Sequence, residues 1–235
     1  MYLPNNVRSV LRRTPVLWIY QQYQRIKTLP GRTKIGQYYN HTKYIQQWIK
    51  AGQPIHPLDA KNHQIVKEYA ETFKLHVFVE TGTHTGRMVN AVKDIFDEIY
   101  SIELDTALYK YSKSRFADEK HITIIQGDSS KILSKVVSRI DKPCLFFLDA
   151  HCSGFNLSTR GKLDTAIEGE LHCIFQHPIS NQHMILIDNA ESFTGVSDYP
   201  TIDKVREMAR LAGFDSFEVK DDVIRIHKRI SNAPN

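Results

Sequence analysis

Short apolar segments alternate with stretches of helical periodicity from about residue 75 onward. The apolar segments predict strands at Leu75–Glu80, Glu98–Glu103, Ile122–Gln126, Cys144–Asp149, Met184–Asp188, Phe214–Val219 and Val223–His227. Between several of these strands, apolar residues recur every three or four positions, as on amphipathic helices. The clearest sets are Met88, Val92, Ile95 and Phe96, and Ile167, Leu171, Ile174 and Phe175. The alternation is typical of βαβ units, so we predict an α/β fold around a parallel sheet.

The C-terminal part of the pattern differs from the rest. Only Lys220–Asp222 separates the last two predicted strands, which is too short for a helical crossover. These strands should therefore pair as an antiparallel hairpin. A helix is expected to precede them, because Pro200 suits a first helical turn and Gly213 suits a helix end. The prediction is a doubly wound, seven-stranded sheet, mostly parallel, with a C-terminal antiparallel hairpin.

Upstream of the sheet, helical patterns predict an N-terminal extension. Asp59 can cap a helix with an apolar stripe that leads into the first strand. A short helix is expected from Lys43 to Ala51, ending at Gly52, and residues 1–29 read as helical with a break at Pro15. We therefore divide the chain into a helical extension, 1–58, and a main domain, 59–230.

Charge separates the same two parts. Of 31 bases and 26 acids, nine bases and no acid lie in residues 1–58, so the remainder carries a net charge of −4. Apolar residues at helical spacing accompany the bases between Val16 and Ile26. Three interpretations are open for this segment: a helix packed on the domain, which we favour, a peripheral anchor on an anionic membrane, or a nucleic-acid arm.

Composition narrows the setting of the protein. The hydrophobic and charged fractions, 41% and 24%, exclude disordered, collagen-like and coiled-coil chains. We find no apolar run of membrane-spanning length and no secretory signal pattern. The three cysteines lack a CxxC spacing, which argues against a disulfide framework and a zinc ribbon. A cytoplasmic protein is expected, with any membrane contact peripheral and at the inner face.

Candidate binding residues follow three predicted strands. Residues 77–86, VFVETGTHTG, run from a buried strand through a glycine-spaced turn into a helix, where free N–H groups can bind a ligand. Arg87 stands where a Walker loop needs lysine, and the glycine spacing is not GxGxxG. Glu103 ends the second strand about 20 residues after Gly82, an offset at which an acid binds ribose hydroxyls. Asp128 and Ser129 follow the third strand.

These three motifs, in this order over roughly residues 60–228, resemble the class I S-adenosylmethionine-dependent methyltransferases. The resemblance implies a Rossmann-like sheet and S-adenosylmethionine as cofactor. Its methionine part would lie against Glu80, Gly82, Thr83, Thr85 and Gly86, its ribose against Glu103, and its adenine against Asp128 and Ser129. The alternative is a Rossmann domain that binds a different nucleotide cofactor.

Further acids follow the fourth and fifth strands. Asp149 and the pair Asp188-Asn189 would offer two carboxylates and an amide oxygen to one crevice, a ligand set suited to Mg²⁺. They resemble the metal triad of metal-dependent O-methyltransferases. The competing interpretation is helix capping or loop hydrogen bonding without a metal.

Cys152 stands where the catechol enzymes of that family have a lysine base. His151 is therefore the candidate general base beside Asp149, and a purely structural histidine is the alternative. The sequence of residues 149–154 and 164–171 resembles that of methyltransferase-like proteins of bacterial polysaccharide biosynthesis. By analogy, this resemblance implies a glycan acceptor.

The sequence therefore predicts a transferase that moves the methyl group of S-adenosylmethionine to a hydroxyl of a saccharide or other small molecule, with divalent-metal assistance. The alternative is a non-catalytic S-adenosylmethionine-binding domain, tethered by its basic N-terminus to a membrane-associated biosynthetic complex. A nucleic-acid acceptor is disfavoured, because the [DNS]-P-P-[YF] motif of base N-methylating relatives does not follow the fourth strand. The sequence leaves a homo-oligomer open.

Overall fold

The computed structural model describes residues 43–52, 57–149, 165–196 and 198–229. The strands are β1 (Val77–Thr81), β2 (Glu98–Glu103), β3 (Ile122–Gln126), β4 (Cys144–Asp149), β5 (Met184–Asp188), β6 (Ser216–Lys220) and β7 (Val223–His227). The helices are α1 (43–50), α2 (Pro57–Phe73), α3 (Arg87–Val92), α4 (Thr106–Arg115), α5 (Ser129–Val137), α6 (Ile167–Phe175) and α7 (Ile202–Leu211), with 3-10 turns at Ser180–Gln182 and Ala190–Ser192.

The strands form one seven-stranded sheet in the order β3-β2-β1-β4-β5-β7-β6. Strands β1 to β5 are parallel, and β7 pairs antiparallel with both β5 and β6. The predicted Rossmann-like sheet, mostly parallel with a C-terminal antiparallel hairpin, is confirmed.

Two strand boundaries differ from the prediction for the same reason. Leu75 and Phe214 were assigned to strands because both are apolar, but their backbone N–H groups donate to Ala70 and Ala209 at the ends of the preceding helices. In each case the residue before them has a left-handed backbone, with φ of 51° at Lys74 and 87° at Gly213. This is a helix-terminating turn in which the following apolar residue packs back on the core. The strands therefore begin two residues later.

Helices cover both faces of the sheet. Phe78 points to the face covered by α2 and α3, while Val77 and Val79 point to the face covered by α5, α6 and α7. Because β1 is central and buried on both faces, its carboxyl end opens into a crevice bordered by β2 and β4. The candidate residues of the site lie at this edge.

The short predicted helix of the extension is present as α1. Tyr44, Ile45 and Trp48 are buried and pack against Leu108 of α4, so this part of the extension contacts the main domain. Residues 1–42 lie outside the described residues, and the three interpretations of the Val16–Ile26 segment remain predictions, as does the boundary at residue 58. No helix among the described residues combines the length and the apolar character needed to span a bilayer.

Candidate functional site

The loop between β1 and α3 has a backbone that demands glycine at two positions. Gly82 and Gly86 have φ values of 90° and 71°. A Cβ on Gly86 would lie 2.5 Å from the Phe116 ring, and a Cβ on Gly82 would lie 3.1 Å from the Cβ of Asp149. The N–H of Gly82 also donates to the carbonyl of Ile102 in β2 at 2.9 Å. The glycines therefore allow both the turn itself and its close packing.

His84, between these glycines, also has a left-handed backbone, with φ of 51°. Its N–H donates to Glu103 Oε2 at 2.6 Å, and its carbonyl accepts from Ser112 Oγ at 2.8 Å. The next carbonyl, of Thr85, accepts from Arg115 Nη1 at 2.7 Å. The end of β2 and helix α4 thus hold the loop from one side.

Glu80 lies at the base of the loop and is almost fully buried. Ser101 Oγ donates to Glu80 Oε2 at 2.5 Å and lies 2.6 Å from the hydroxyl of Thr83, so a polar chain joins these three residues. Burial raises the pKa of Glu80 well above its usual range. The Ser101 hydrogen bond opposes the shift, and the charges of Asp149 and Glu103 add to it.

Glu103 is held at the end of β2 by backbone donors. Its two carboxyl oxygens accept from the N–H groups of His84 and Asp105, the second at 2.8 Å. Burial raises the pKa of Glu103 to about 7, although these two hydrogen bonds oppose the shift. The carboxyl is therefore held in position by two backbone donors while burial favours its protonated form.

Asp128 caps the N-terminus of α5. Its side chain accepts from the backbone N–H of Ser130 at 3.1 Å and from Ser130 Oγ at 2.6 Å, and it pairs with Lys131. Burial alone would raise the pKa of Asp128, but these hydrogen bonds outweigh burial and lower it. Capping accounts for Asp128 structurally, and its adenine-side role, with Ser129, remains a prediction.

Glu170 is a buried acid that the sequence analysis did not assign to the site. It lies on α6 beside the hydroxyls of Ser129 and Thr81, at the start of α5 and the end of β1. Burial raises the pKa of Glu170 to about 7, the two hydroxyls oppose the shift, and Asp149 and Asp128 add to it. The signal in the sequence is its position on the apolar stripe of α6. That stripe is Ile167, Glu170, Leu171 and Ile174.

The three predicted metal ligands come together. Asp149 and Asp188 are register partners at the ends of β4 and β5. Asn189 follows with a left-handed backbone, φ of 64°, and its Nδ2 donates to Asp149 Oδ1 at 3.3 Å. The amide nitrogen thus faces Asp149, and a rotation of the amide would present its oxygen. His151 lies outside the described residues.

Within the described ranges, no group of three or more histidine, cysteine, aspartate and glutamate side chains is arranged to hold a metal ion. An asparagine does not count toward such a group. The candidate set therefore depends on two carboxylates and the Asn189 amide, and its occupation by Mg²⁺ remains a prediction.

No protein-family profile matches the chain. Over 102 residues it is 30% identical to a probable ribosomal RNA small subunit methyltransferase A of Methanococcoides burtonii, a match that covers 40% of this chain. It spans only 38% of that relative's length.

Among solved structures, the SAH-bound methyltransferase PaMTH1 of Podospora anserina superposes with a TM-score of 0.52 and 17% identity, over 98% of this chain and 99% of that one. A TehB-like SAM-dependent methyltransferase of Corynebacterium glutamicum superposes with a TM-score of 0.51 and 16% identity, over 82% and 98%. The N-methyltransferase NodS of Bradyrhizobium japonicum superposes with a TM-score of 0.51 and 9% sequence identity. This superposition covers 74% of this chain and 97% of NodS. The chain therefore has the Rossmann-like fold of the class I S-adenosylmethionine-dependent methyltransferases.

Proposed function

We propose that the protein transfers the methyl group of S-adenosylmethionine to a hydroxyl of a saccharide or other small molecule. One observation carries the proposal. The glycine loop after β1 and the acids that end β1 and β2 are bonded to one another at the carboxyl edge of a methyltransferase-type sheet. Because ligands of such sheets bind at this edge, the arrangement is suited to the cofactor.

The residues present fit that cofactor in shape and charge. Gly82 leaves the space beside Asp149 free of a side chain, and Gly86 lets the loop pack closely against Phe116 of the domain. Thr85 Oγ1 is fully buried and has no hydrogen-bond partner among the described residues, so a polar group of the loop is left unsatisfied. Glu103 would accept from the ribose hydroxyls, and Glu80 with Thr83 would lie on the methionine side. A surround rich in carboxyls also favours a cationic sulfonium.

The reaction requires a nucleophilic oxygen in line with the methyl group. The acceptor oxygen would attack the methyl carbon, the carbon–sulfur bond would break with its electron pair passing to sulfur, and S-adenosylhomocysteine would leave. His151 would take the proton of the acceptor hydroxyl, since the ordinary pKa of a histidine is near neutral pH.

A divalent metal would help because an aliphatic hydroxyl is a poor nucleophile. Asp149 and Asp188 lie side by side at the ends of β4 and β5, and Asn189 contacts Asp149; their carboxylates, and the Asn189 amide oxygen after rotation of the amide, would suit Mg²⁺ in chemistry. When bound there, Mg²⁺ would orient the acceptor oxygen and lower the pKa of its hydroxyl.

One observation favours a second acceptor class. The 30% identity over 102 residues is to a probable ribosomal RNA methyltransferase, so RNA belongs in the acceptor panel. Against RNA, the sequence after β4 is Asp149-Ala150-His151 and not a [DNS]-P-P-[YF] motif. The further alternative is a cofactor-binding domain without catalysis, tethered at the inner face of the membrane by its basic N-terminus.

Isothermal titration calorimetry with S-adenosylmethionine and S-adenosylhomocysteine tests cofactor binding. The wild type should bind both, and Glu103→Ala should bind at least tenfold more weakly because it loses the ribose acceptor and releases the loop. Glu68→Ala, an exposed change on α2, is the control and should bind as wild type. If the wild type binds neither ligand, the proposed function is wrong.

Transfer of a labelled methyl group tests catalysis. Saccharides, small phenols and RNA should be offered separately, with Mg²⁺ and with EDTA. Transfer to a hydroxyl acceptor that EDTA suppresses would support the proposal. Labelling of RNA bases would instead support the second class, and cofactor binding without any transfer would support the tethered domain. For the tether, flotation with anionic vesicles should depend on the bases of residues 1–42.

A further inference from the structure

The loop between β1 and α3 is held from two sides. Glu103 and Ser112 hold the backbone of His84 from the body of the domain. On the other side, α1, which belongs to the predicted N-terminal extension, contacts His84 through Tyr44. A left-handed non-glycine residue persists only when its surroundings fix it, so every contact on His84 bears on the shape of this loop.

Tyr44 of α1 makes the first contact from that side. Its ring lies edge-on to the ring of His84, with centroids 5.5 Å apart and an interplanar angle of 66°. Tyr44 is only 7% exposed and His84 is partly buried. The edge-on geometry is favourable for aromatic pairs and favours this direction of the His84 side chain.

Arg115 of α4 makes the second contact. Its Nη1 donates to the carbonyl of Thr85 at 2.7 Å, while its guanidinium lies 5.6 Å from the ring centroid of Trp48. Trp48 is 1% exposed and also packs edge-on to Tyr111 at 6.2 Å. One guanidinium therefore joins α1 to the loop, through a hydrogen bond on one side and a cation–π contact on the other.

We propose that α1 is a positioning element of the cofactor site. Tyr44 and Trp48 of α1, together with Arg115 of α4, would keep residues 83–86 in the conformation that accepts the cofactor. This inference rests on the proposed function and extends it to residues that would not touch the cofactor. It assigns to part of the basic extension a role in cofactor affinity, in addition to any role in docking.

The mechanism is preorganisation. If the contacts of α1 with His84 and Arg115 were lost, His84 could leave its left-handed conformation. The loop would then have to be ordered again at each binding event, which costs binding free energy. The expected effect is therefore a weaker affinity with little change in the folding of the sheet, since β1 and its neighbours keep their own pairing.

Two matched pairs of variants test this. Arg115→Met keeps the apolar stem and removes both the donor and the charge, and Arg115→Lys restores a donor. Tyr44→Ala removes the ring, and Tyr44→Phe keeps it. We expect Arg115→Met and Tyr44→Ala to raise the Kd for S-adenosylhomocysteine at least fivefold, with Arg115→Lys intermediate and Tyr44→Phe near wild type. Lys113→Met is the control, because among the described residues the Lys113 ammonium contacts Tyr109 of the same helix and not the loop.

Hydrogen exchange without ligand gives an independent readout. In Tyr44→Ala, which changes α1 alone, and in Arg115→Met, the amides of residues 83–87 should exchange faster, while those of β1 and β4 stay protected as in the wild type. A merely structural role would instead raise exchange throughout the sheet and lower the unfolding midpoint.

Wild-type affinity in both Arg115→Met and Tyr44→Ala, or unchanged exchange in the loop, would overturn the inference. If the wild type binds no cofactor, the proposed function fails by itself, and the exchange measurement still decides whether α1 holds the loop.

Discussion

Gly82 and Asp149 lie in van der Waals range across the central pair of strands. A Cβ on Gly82 would come within 3.1 Å of the Cβ of Asp149 and 3.4 Å of its Oδ2. The loop after β1 and the candidate metal ligand thus lie next to each other. A cofactor in the loop and an acceptor at Asp149 would be neighbours, as direct methyl transfer requires.

Gly82→Ala should weaken cofactor binding at least tenfold. Alanine is strained at a φ of 90°, and its Cβ would push on Asp149 in the same crevice. Calorimetry with S-adenosylmethionine measures the change.

Gly213→Ala provides a matched control, since Gly213 has a φ of 87° but nothing within 4 Å of an added Cβ. It should lower the free energy of unfolding by about 1 kcal/mol and leave cofactor affinity unchanged. Equal losses of affinity in the two variants would contradict the crowding argument.

Asp188→Asn should lower methyl transfer strongly while leaving the Kd of the cofactor within about twofold. The change removes one carboxylate from the candidate metal set without altering its size. The measurement is transfer rate against Mg²⁺ concentration, and the wild type should lose activity in EDTA.

Asp118→Asn, an exposed change on the same protein, controls for loss of negative charge. Activity of Asp188→Asn equal to wild type at every Mg²⁺ concentration would remove the metal role of this residue.

Glu170→Gln should stabilise the protein at pH 8 more than at pH 5. The pKa of Glu170 rises from 4.5 to about 7 on folding, so the native state binds the extra proton between these values. Stability therefore falls as pH rises through this window, and above it the buried charge costs about 3 to 4 kcal/mol on a scale of ~1.4 kcal/mol per pKa unit. The glutamine variant lacks this cost.

Urea unfolding at the two pH values measures this difference. Glu168→Gln removes the same charge from the partly exposed side of α6, beside Lys204, and separates burial from charge. A gain for Glu170→Gln that is equal at pH 5 and pH 8 would count against the shifted pKa.

A hydrogen-bonded chain at the amino ends of β4 and β5 orients two histidine rings. His177 Nε2 lies 3.1 Å from the carbonyl of Ile140, which can only accept, so His177 carries its proton there. Its Nδ1 then accepts from His183 Nε2 at 2.9 Å, and His183 Nδ1 accepts from the N–H of Cys144 at 3.2 Å. Burial, aided by His177, lowers the pKa of His183 to about 4.

This chain predicts a second pH effect with the opposite sign. Because the folded pKa of His183 lies below its unfolded value of 6.5, its stabilising contribution is present above pH 6.5 and is lost as pH falls toward 4. His183→Gln should be less stable than wild type at pH 7, and the gap should narrow at pH 5. A constant gap in urea unfolding would argue against this assignment.

Most of the sheet was predictable because its strands are buried on both faces and bounded by turn residues. The β4 sequence, for example, is an apolar run that ends at Asp149, as the structure has it. The errors at Leu75 and Phe214 arose because an apolar residue after a helix end looks like the start of a strand.

The site was predictable only where the sequence marks a strand end. Glu80, Glu103 and Asp149 were predicted by that rule, and their roles remain predictions. Glu170 was missed because its carboxyl reaches the candidate site from a helix. Helical periodicity predicts which face of a helix is buried but does not predict which residues contact that face. The contact of Tyr44 with His84 joins distant segments and has no local signal.

The central place of β1 in the sheet also bears on how the chain is made. One edge of β1 pairs with β2, the next strand in the sequence. The other edge pairs with β4, which is synthesised much later. Until then an apolar strand has an unpaired edge, which is a template for association with other chains. Slow closure of such long-range pairs prolongs this state. We therefore expect aggregation to compete during synthesis and refolding, before β4 is in place, and to decline once Gly82 meets Asp149.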